Sequence, residues 1–185
     1  MRSPVVAFAA AALALVAPAL AAAEPRHPVY LVAKAGGYFP THSDVTKHET
    51  TLAGELALGY APDPGFALEL ATGKFNVVRE EGDTTLRDMR VIPVTLAIRG
   101  TVPVKRLEPY AILGGGLYLV HDEVGGEDDD AVNLGLFLGG GMNMNLSSRL
   151  FVGVEARYLV LGANTFDSHT RVDGISLTAD LGLRF

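Results

Sequence analysis

The sequence has the length of one domain, with 185 residues of which 49% are hydrophobic. It contains no cysteine, which excludes a disulfide-linked scaffold and a thiolate metal site. The formal net charge of -6 at pH 7 argues against nucleic acid as a partner, because phosphate binding needs a basic surface.

Residues 1–23 have the pattern of a secretory signal peptide. Arg2 supplies a positive charge, an apolar stretch follows, and small residues precede Glu24. The apolar stretch contains Pro18 and is shorter than the ~20 residues that a membrane-spanning helix needs. We therefore predict cleavage before Glu24 and export of a mature domain over 24–185.

Eight segments of the mature region are typical of β-strands, and turn-rich breaks separate them. In chain order they are 28–39, 51–61, 66–76, 87–101, 108–121, 132–144, 150–162 and 172–185. The breaks PDPG, VPVKRL and NLSSR are short, and they alternate with the longer polar breaks PTHSDVTKHET, VVREEGDTT, DEVGGEDDDA and GANTFDSHT. This alternation predicts an up-and-down meander whose two ends face different environments.

Most of these segments have one large aliphatic face and one face of small and charged residues. A soluble barrel would place its aliphatic residues inside and its charges on the wet surface. Here the polar rows contain too much glycine and alanine, and too little charge, for such a surface. An inverted barrel fits better, with aliphatic residues facing lipid. We predict an all-β, eight-stranded antiparallel transmembrane β-barrel.

The predicted inner rows contain equal numbers of acidic and basic residues. They are Glu55, Glu69, Glu155, Asp180, Lys34, Arg99, Arg157 and Arg184. Because charges enclosed in a low-dielectric lumen persist only when they are paired, we predict a structural network of ion pairs. The segment 108–121 is apolar on both faces, so its inward row cannot be assigned.

Aromatic residues near the ends of the predicted strands suggest girdles at the two membrane interfaces. They are Tyr30, Tyr38, Phe39, Tyr60, Phe66, Tyr110, Tyr158 and Phe185.

The signal peptide, the eight alternating strands, the segments PYAILGGGLYLV and VGVEARY and the terminal Phe185 together carry a family resemblance. The chain resembles the small outer-membrane β-barrels of Gram-negative bacteria, the OmpA/OmpX and OmpW-like group. The resemblance implies residence in the outer membrane, in contact with its lipid and lipopolysaccharide. It also implies that Phe185 belongs to a signal read by the outer-membrane assembly machinery.

We predict no catalytic residues, no cofactor and no metal site. His42, Ser43 and Asp44 are the residue types of a triad, but adjacent loop residues rarely reach triad geometry. The acidic segment 121–130 could hold Ca²⁺, yet its glycine spacing does not match an EF-hand, and a solvated loop is the simpler interpretation. The GGG runs at 114–116 and 139–141 lead into no helix, so they make room for lumen side chains rather than a phosphate site.

Three functions remain open at this point. The first is a structural or surface-interaction role in the envelope, and the second is a channel for small or hydrophobic solutes. The third is a soluble periplasmic ligand-binding barrel that resembles lipocalins. Because eight strands leave an interior just wide enough for side chains, we favour the first.

Overall fold

The computed structural model describes residues 27–41, 51–81, 84–124, 127–161 and 173–185. They form β1 (Val29–Pro40), β2 (Thr51–Asp63), β3 (Phe66–Glu81), β4 (Thr84–Thr101), β5 (Leu107–Val124), β6 (Glu127–Asn145), β7 (Leu150–Leu161) and β8 (Gly174–Arg184). The predicted signal peptide lies outside the described residues and stays a prediction. In the part of the chain that is described, no helix is long and apolar enough to cross a membrane.

The eight strands form a closed antiparallel barrel, which confirms the predicted fold class. Each strand pairs with the next in sequence, and β8 pairs with β1. Closure leaves no unpaired sheet edge, as a β-structure in lipid requires. It also makes Lys34 the register partner of both Glu55 on β2 and Asp180 on β8.

The burial pattern confirms the predicted inversion of the two faces. Leu136 on β6 is 68% exposed, whereas the next residue, Phe137, is 3% exposed. The same alternation assigns the face of β5 that the sequence left open. Tyr110 and Tyr118 on β5 face the lumen, and Leu113 faces outward. The outward aliphatic rows form a lipid-facing belt around the barrel.

The structure corrects the predicted ends of the four central strands. The breaks predicted at 77–85 and 122–131 are mostly strand, because β3 continues to Glu81 and β5 to Val124. These strands have 16 to 19 residues, against the ~9 to 11 that cross a bilayer. The polar ends of these strands resemble loops in the sequence, because a strand that extends into water needs no apolar face.

The β2–β3, β4–β5 and β6–β7 connections, at 64–65, 102–106 and 146–149, lie at one end of the barrel. We call it the periplasmic end, because the extended hairpins β3–β4 and β5–β6 lie at the opposite end, and the longer extensions face the cell exterior in this architecture. The β2–β3 turn is held by the amide of Gly65, which donates to Asp63 Oδ1 at 2.8 Å. The β4–β5 turn is closed by two backbone bonds between Val104 and Leu107, of 2.7 and 2.9 Å.

The structure also corrects the predicted aromatic girdles. Tyr30, Tyr38 and Tyr110 point into the lumen and are buried. The aromatic residues that do face outward and are exposed are Phe39, Tyr60, Tyr158 and Phe185. The lumen is therefore filled by aromatic rings as well as by small and charged residues. Gly114 supports this packing, because its missing side chain leaves room for the ring of Phe137.

Candidate functional site

A cluster of charged side chains crosses the lumen near its middle, and we call it the charged layer. Its members are Lys34, Glu55, Glu69, Arg99, Glu155 and Arg157. Five of the eight strands contribute to it, namely β1, β2, β3, β4 and β7. Successive inward positions place each side chain on the lumen side of its strand, so residues far apart in sequence meet across a narrow barrel.

Lys34 is the centre of the layer. Its Nζ lies 3.0 Å from Glu155 Oε2 and 3.5 Å from Glu69 Oε2. A third carboxylate oxygen, Glu55 Oε1, lies 3.5 Å from the same nitrogen. One cation is thus shared among carboxylates from three strands, which ties opposite walls of the barrel together.

Glu69 joins Lys34 to a second cation. Arg99 Nη1 and the Tyr30 hydroxyl both donate to Glu69 Oε1, each at 2.7 Å. The Arg99 guanidinium also stacks on the ring of Tyr110, with its central carbon 3.5 Å from the ring centroid. Such a stack adds a cation–π contribution to the ion pair.

Arg157 closes the layer on the opposite wall. Its Nη1 donates to Glu55 Oε2 at 3.0 Å, and its Nε forms an ion pair with Glu155. The guanidinium lies over Phe137, 4.6 Å from the ring centroid. The hydroxyl of Tyr110 also donates a hydrogen bond to Glu155, 2.9 Å from Oε2.

Asp180 lies beside the layer and is bound mainly by neutral groups. The Thr178 hydroxyl donates to Asp180 Oδ1 at 2.8 Å, and the Tyr110 hydroxyl lies 3.5 Å from Oδ2. Among the described residues, no lysine or arginine nitrogen lies within 4.0 Å of this carboxylate, although Lys34 is its register partner.

The eighth predicted residue, Arg184, belongs to a separate cluster at the periplasmic end. Its Nη2 donates to Glu108 Oε2 and its Nη1 to Asn145 Oδ1, each at 2.6 Å. It cannot reach the charged layer because it lies at the last position of β8. Glu108 was missed in the sequence because it lies on β5, whose inward row could not be assigned.

Two cavities lie on either side of the charged layer, and they share no lining residue. The outer one has a volume of about 60 Å³, with Tyr38, Phe75 and Tyr118 among its lining residues. The periplasmic one has a volume of about 240 Å³ and reaches Arg99 and Arg184. The charged layer therefore divides the lumen.

Other candidate sites from the sequence lie beyond what the structure describes. His42, Ser43 and Asp44 are outside the described residues, and so are the side chains of the acidic segment 121–130. Within the described ranges, no three histidine, aspartate or glutamate side chains are grouped so that they could hold a metal ion.

The comparison with protein families matches the outer membrane protein beta-barrel domain over residues 7–185. The chain belongs to this family. It is an outer-membrane β-barrel protein, and its location is the cell outer membrane. A soluble periplasmic ligand-binding barrel is thereby excluded. The search of curated proteins found no match.

Solved structures show the same fold at low sequence identity. Neisserial surface protein A matches with a TM-score of 0.71 and 14% identity, over 85% of this chain and 97% of that one. Ail of Yersinia pestis matches with a TM-score of 0.58 and 15% identity, over 85% of this chain and 97% of that one. OprG of Pseudomonas aeruginosa matches with a TM-score of 0.57 and 14% identity, over 86% of this chain and 97% of that one.

Proposed function

We propose that this outer-membrane barrel is occluded, and that it serves the structure of the envelope or interactions at the cell surface rather than conduction. The observation that carries the proposal is the charged layer. Lys34, Glu69 and Glu155 are 3%, 1% and 2% exposed, and their bonds link opposite walls. A solute could pass only if these ion pairs opened, which would leave charges unpaired in a narrow space.

The strands β3 to β6 supply the surface for such an interaction. They are neighbours in the barrel, and their backbone pairing continues past the bilayer span, up to Glu81 with Thr84 and Val124 with Glu127. The β5–β6 hairpin carries six acidic residues and no lysine or arginine between His121 and Ala131. We propose that this acidic hairpin contacts a cationic partner at the cell surface.

The surface chemistry separates this protein from one structural neighbour. Ail of Yersinia pestis has been solved in complex with the heparin analogue sucrose octasulfate. A polysulfate is strongly anionic, and the acidic β5–β6 hairpin would repel it. The proposal therefore includes no heparin-like ligand. As the sequence analysis predicts, it also includes no catalytic activity and no cofactor. Assembly is proposed to use the C-terminal strand and Phe185, as the family resemblance implies.

Planar-bilayer recording tests occlusion against the alternative of a small-solute channel. The purified barrel should add no steady conductance above that of the lipid alone, under conditions in which an open porin conducts. Arg99→Ala and Glu155→Ala should destabilise the barrel, while Asp128→Ala in the acidic hairpin serves as the control. Steady conductance of the wild type, with an ion selectivity that shifts in Arg99→Ala or Glu155→Ala but not in Asp128→Ala, would establish the channel instead.

A further inference from the structure

A compact basic surface lies at the periplasmic end, on the turns β4–β5 and β6–β7. Lys105, Arg106 and Arg149 are exposed there, and we call them the basic rim. No acidic residue occurs from 102 to 107 or from 146 to 150. No carboxylate of a described residue lies within 4.0 Å of these three cationic groups.

The two turns adjoin one another and the lipid-facing belt. The amide of Asn145 donates to the carbonyl of Arg106 at 2.8 Å, which joins the start of one turn to the other. Beside the cations, Val104 is 52% exposed and Leu146 is 51% exposed. Outward apolar residues next to unpaired cations form an amphipathic surface, of the kind that suits the lipid headgroup region.

Lys105 has a backbone conformation that glycine adopts more easily than any residue with a side chain. Its φ is 58°, and it is the first central residue of a two-residue hairpin turn between Val104 and Leu107. A turn with positive φ only at this position is of type II′, which normally has glycine there. Lysine therefore occupies a position that disfavours any side chain, and such an exception points to a use for the ammonium group.

We propose that the basic rim is a binding site for the phosphate of anionic phospholipids in the inner leaflet of the outer membrane. Lys105, Arg106 and Arg149 would contact the phosphate oxygens, while Val104 and Leu146 lie against the upper acyl chains. The third short turn, at 64–65, carries no lysine or arginine. The site therefore occupies one side of the periplasmic end, and it is independent of the charged layer and of the proposed function.

Native mass spectrometry of the folded barrel in a neutral detergent tests the site, with phosphatidylglycerol and phosphatidylcholine as the lipid probes. The wild type should retain phosphatidylglycerol in preference to phosphatidylcholine, and salt should weaken the preference. Each removed charge should lower phosphatidylglycerol affinity about fivefold, and the triple variant Lys105→Gln, Arg106→Gln, Arg149→Gln about one hundredfold at low salt.

Two variants separate lipid binding from turn stability. Lys105→Arg, Arg106→Lys, Arg149→Lys keeps all three charges and should retain phosphatidylglycerol within about threefold of the wild type. Lys105→Gly suits the turn better, so the barrel should remain at least as stable while phosphatidylglycerol affinity falls about fivefold. Unchanged phosphatidylglycerol retention in the triple Gln variant would overturn the proposal, as would equal retention of the two lipids by the wild type.

Discussion

Lys34 on β1 and Glu155 on β7 meet in the centre of the lumen, with Nζ 3.1 and 3.0 Å from the two carboxylate oxygens. They are separated by 121 residues in the chain, and β8 lies between their strands in the barrel. The contact therefore crosses the lumen rather than following the sheet. Removing either partner would leave a nearly fully buried charge in a space that also holds Glu69.

Lys34→Met should lower the free energy of unfolding by about 3 to 5 kcal/mol, since it breaks a buried ion pair and leaves three carboxylates close together. Lys74→Met is the matched control, because Lys74 is exposed on the outward face of β3, and the substitution should change stability by less than about 0.5 kcal/mol. Denaturant unfolding in detergent micelles measures both. Equal effects would mean that Lys34 contributes no more than a surface lysine.

Tyr110→Phe isolates one hydrogen bond of the lumen. The variant keeps the ring beneath Arg99 but loses the hydroxyl that donates to Glu155 at 2.9 Å. Hydrogen bonds to charged groups contribute about 1.5 to 3 kcal/mol, so unfolding stability should fall by about that amount. Tyr158→Phe, on the lipid-facing side of β7, should change it by less than about 0.5 kcal/mol. If the two variants were equally stable, the hydroxyl of Tyr110 would have no role in holding the layer.

The barrel fold could be predicted from the sequence because the two-residue alternation of apolar and polar side chains is strong in most strands. The same period also held information about the aromatic residues. Tyr30 and Tyr38 share their row with Lys34, so their burial followed from the assignment of Lys34 to the inside. The prediction that aromatic residues lie at the membrane interfaces did not take this alternation into account.

Glu108 and the far ends of the central strands could not be derived in the same way. In a strand that is apolar on both faces, alternation does not show which row faces the lumen. For β5 the sequence therefore could not identify Glu108 or Tyr110 as lumen residues. The partition of the charges into a central layer and a periplasmic pair also depends on strand register. Register is set by pairing across the sheet, and alternation within one strand does not report it.

Gly114→Ala tests how tightly the lumen is packed. A Cβ at Gly114 would lie 2.5 Å from Phe137 Cζ and 2.7 Å from Ala97 Cβ, so the variant should lose about 1 to 3 kcal/mol of stability. A Cβ at Gly54 would meet no atom within 4 Å, so Gly54→Ala should be neutral or stabilising by up to about 1 kcal/mol. Thermal or denaturant unfolding of the two variants gives the comparison. Tolerance of alanine at both sites would indicate a looser lumen than the structure shows.

The last prediction concerns Phe185, which we propose as part of the assembly signal. Its side chain is 58% exposed, and its backbone amide donates to the carbonyl of Val29 at 2.8 Å. The side chain thus faces outward at the periplasmic end while the backbone completes the pairing of β8 with β1. An exposed side chain contributes little packing inside the protein, so a recognition role and a stability role predict different results.

Phe185→Ser should reduce the amount of folded barrel in the outer membrane several-fold in cells. The same protein refolded in detergent should lose no more than about 1 kcal/mol of unfolding stability, since the ring is mostly exposed. Phe39→Ser is the control, because Phe39 is another outward aromatic residue, 41% exposed, at the opposite end of the belt. It should cost a similar stability in detergent and leave assembly in cells near the wild-type level. If both variants reduced assembly equally, or if Phe185→Ser lowered assembly only in proportion to its loss of stability, Phe185 would be an interface residue without a separate role as a signal.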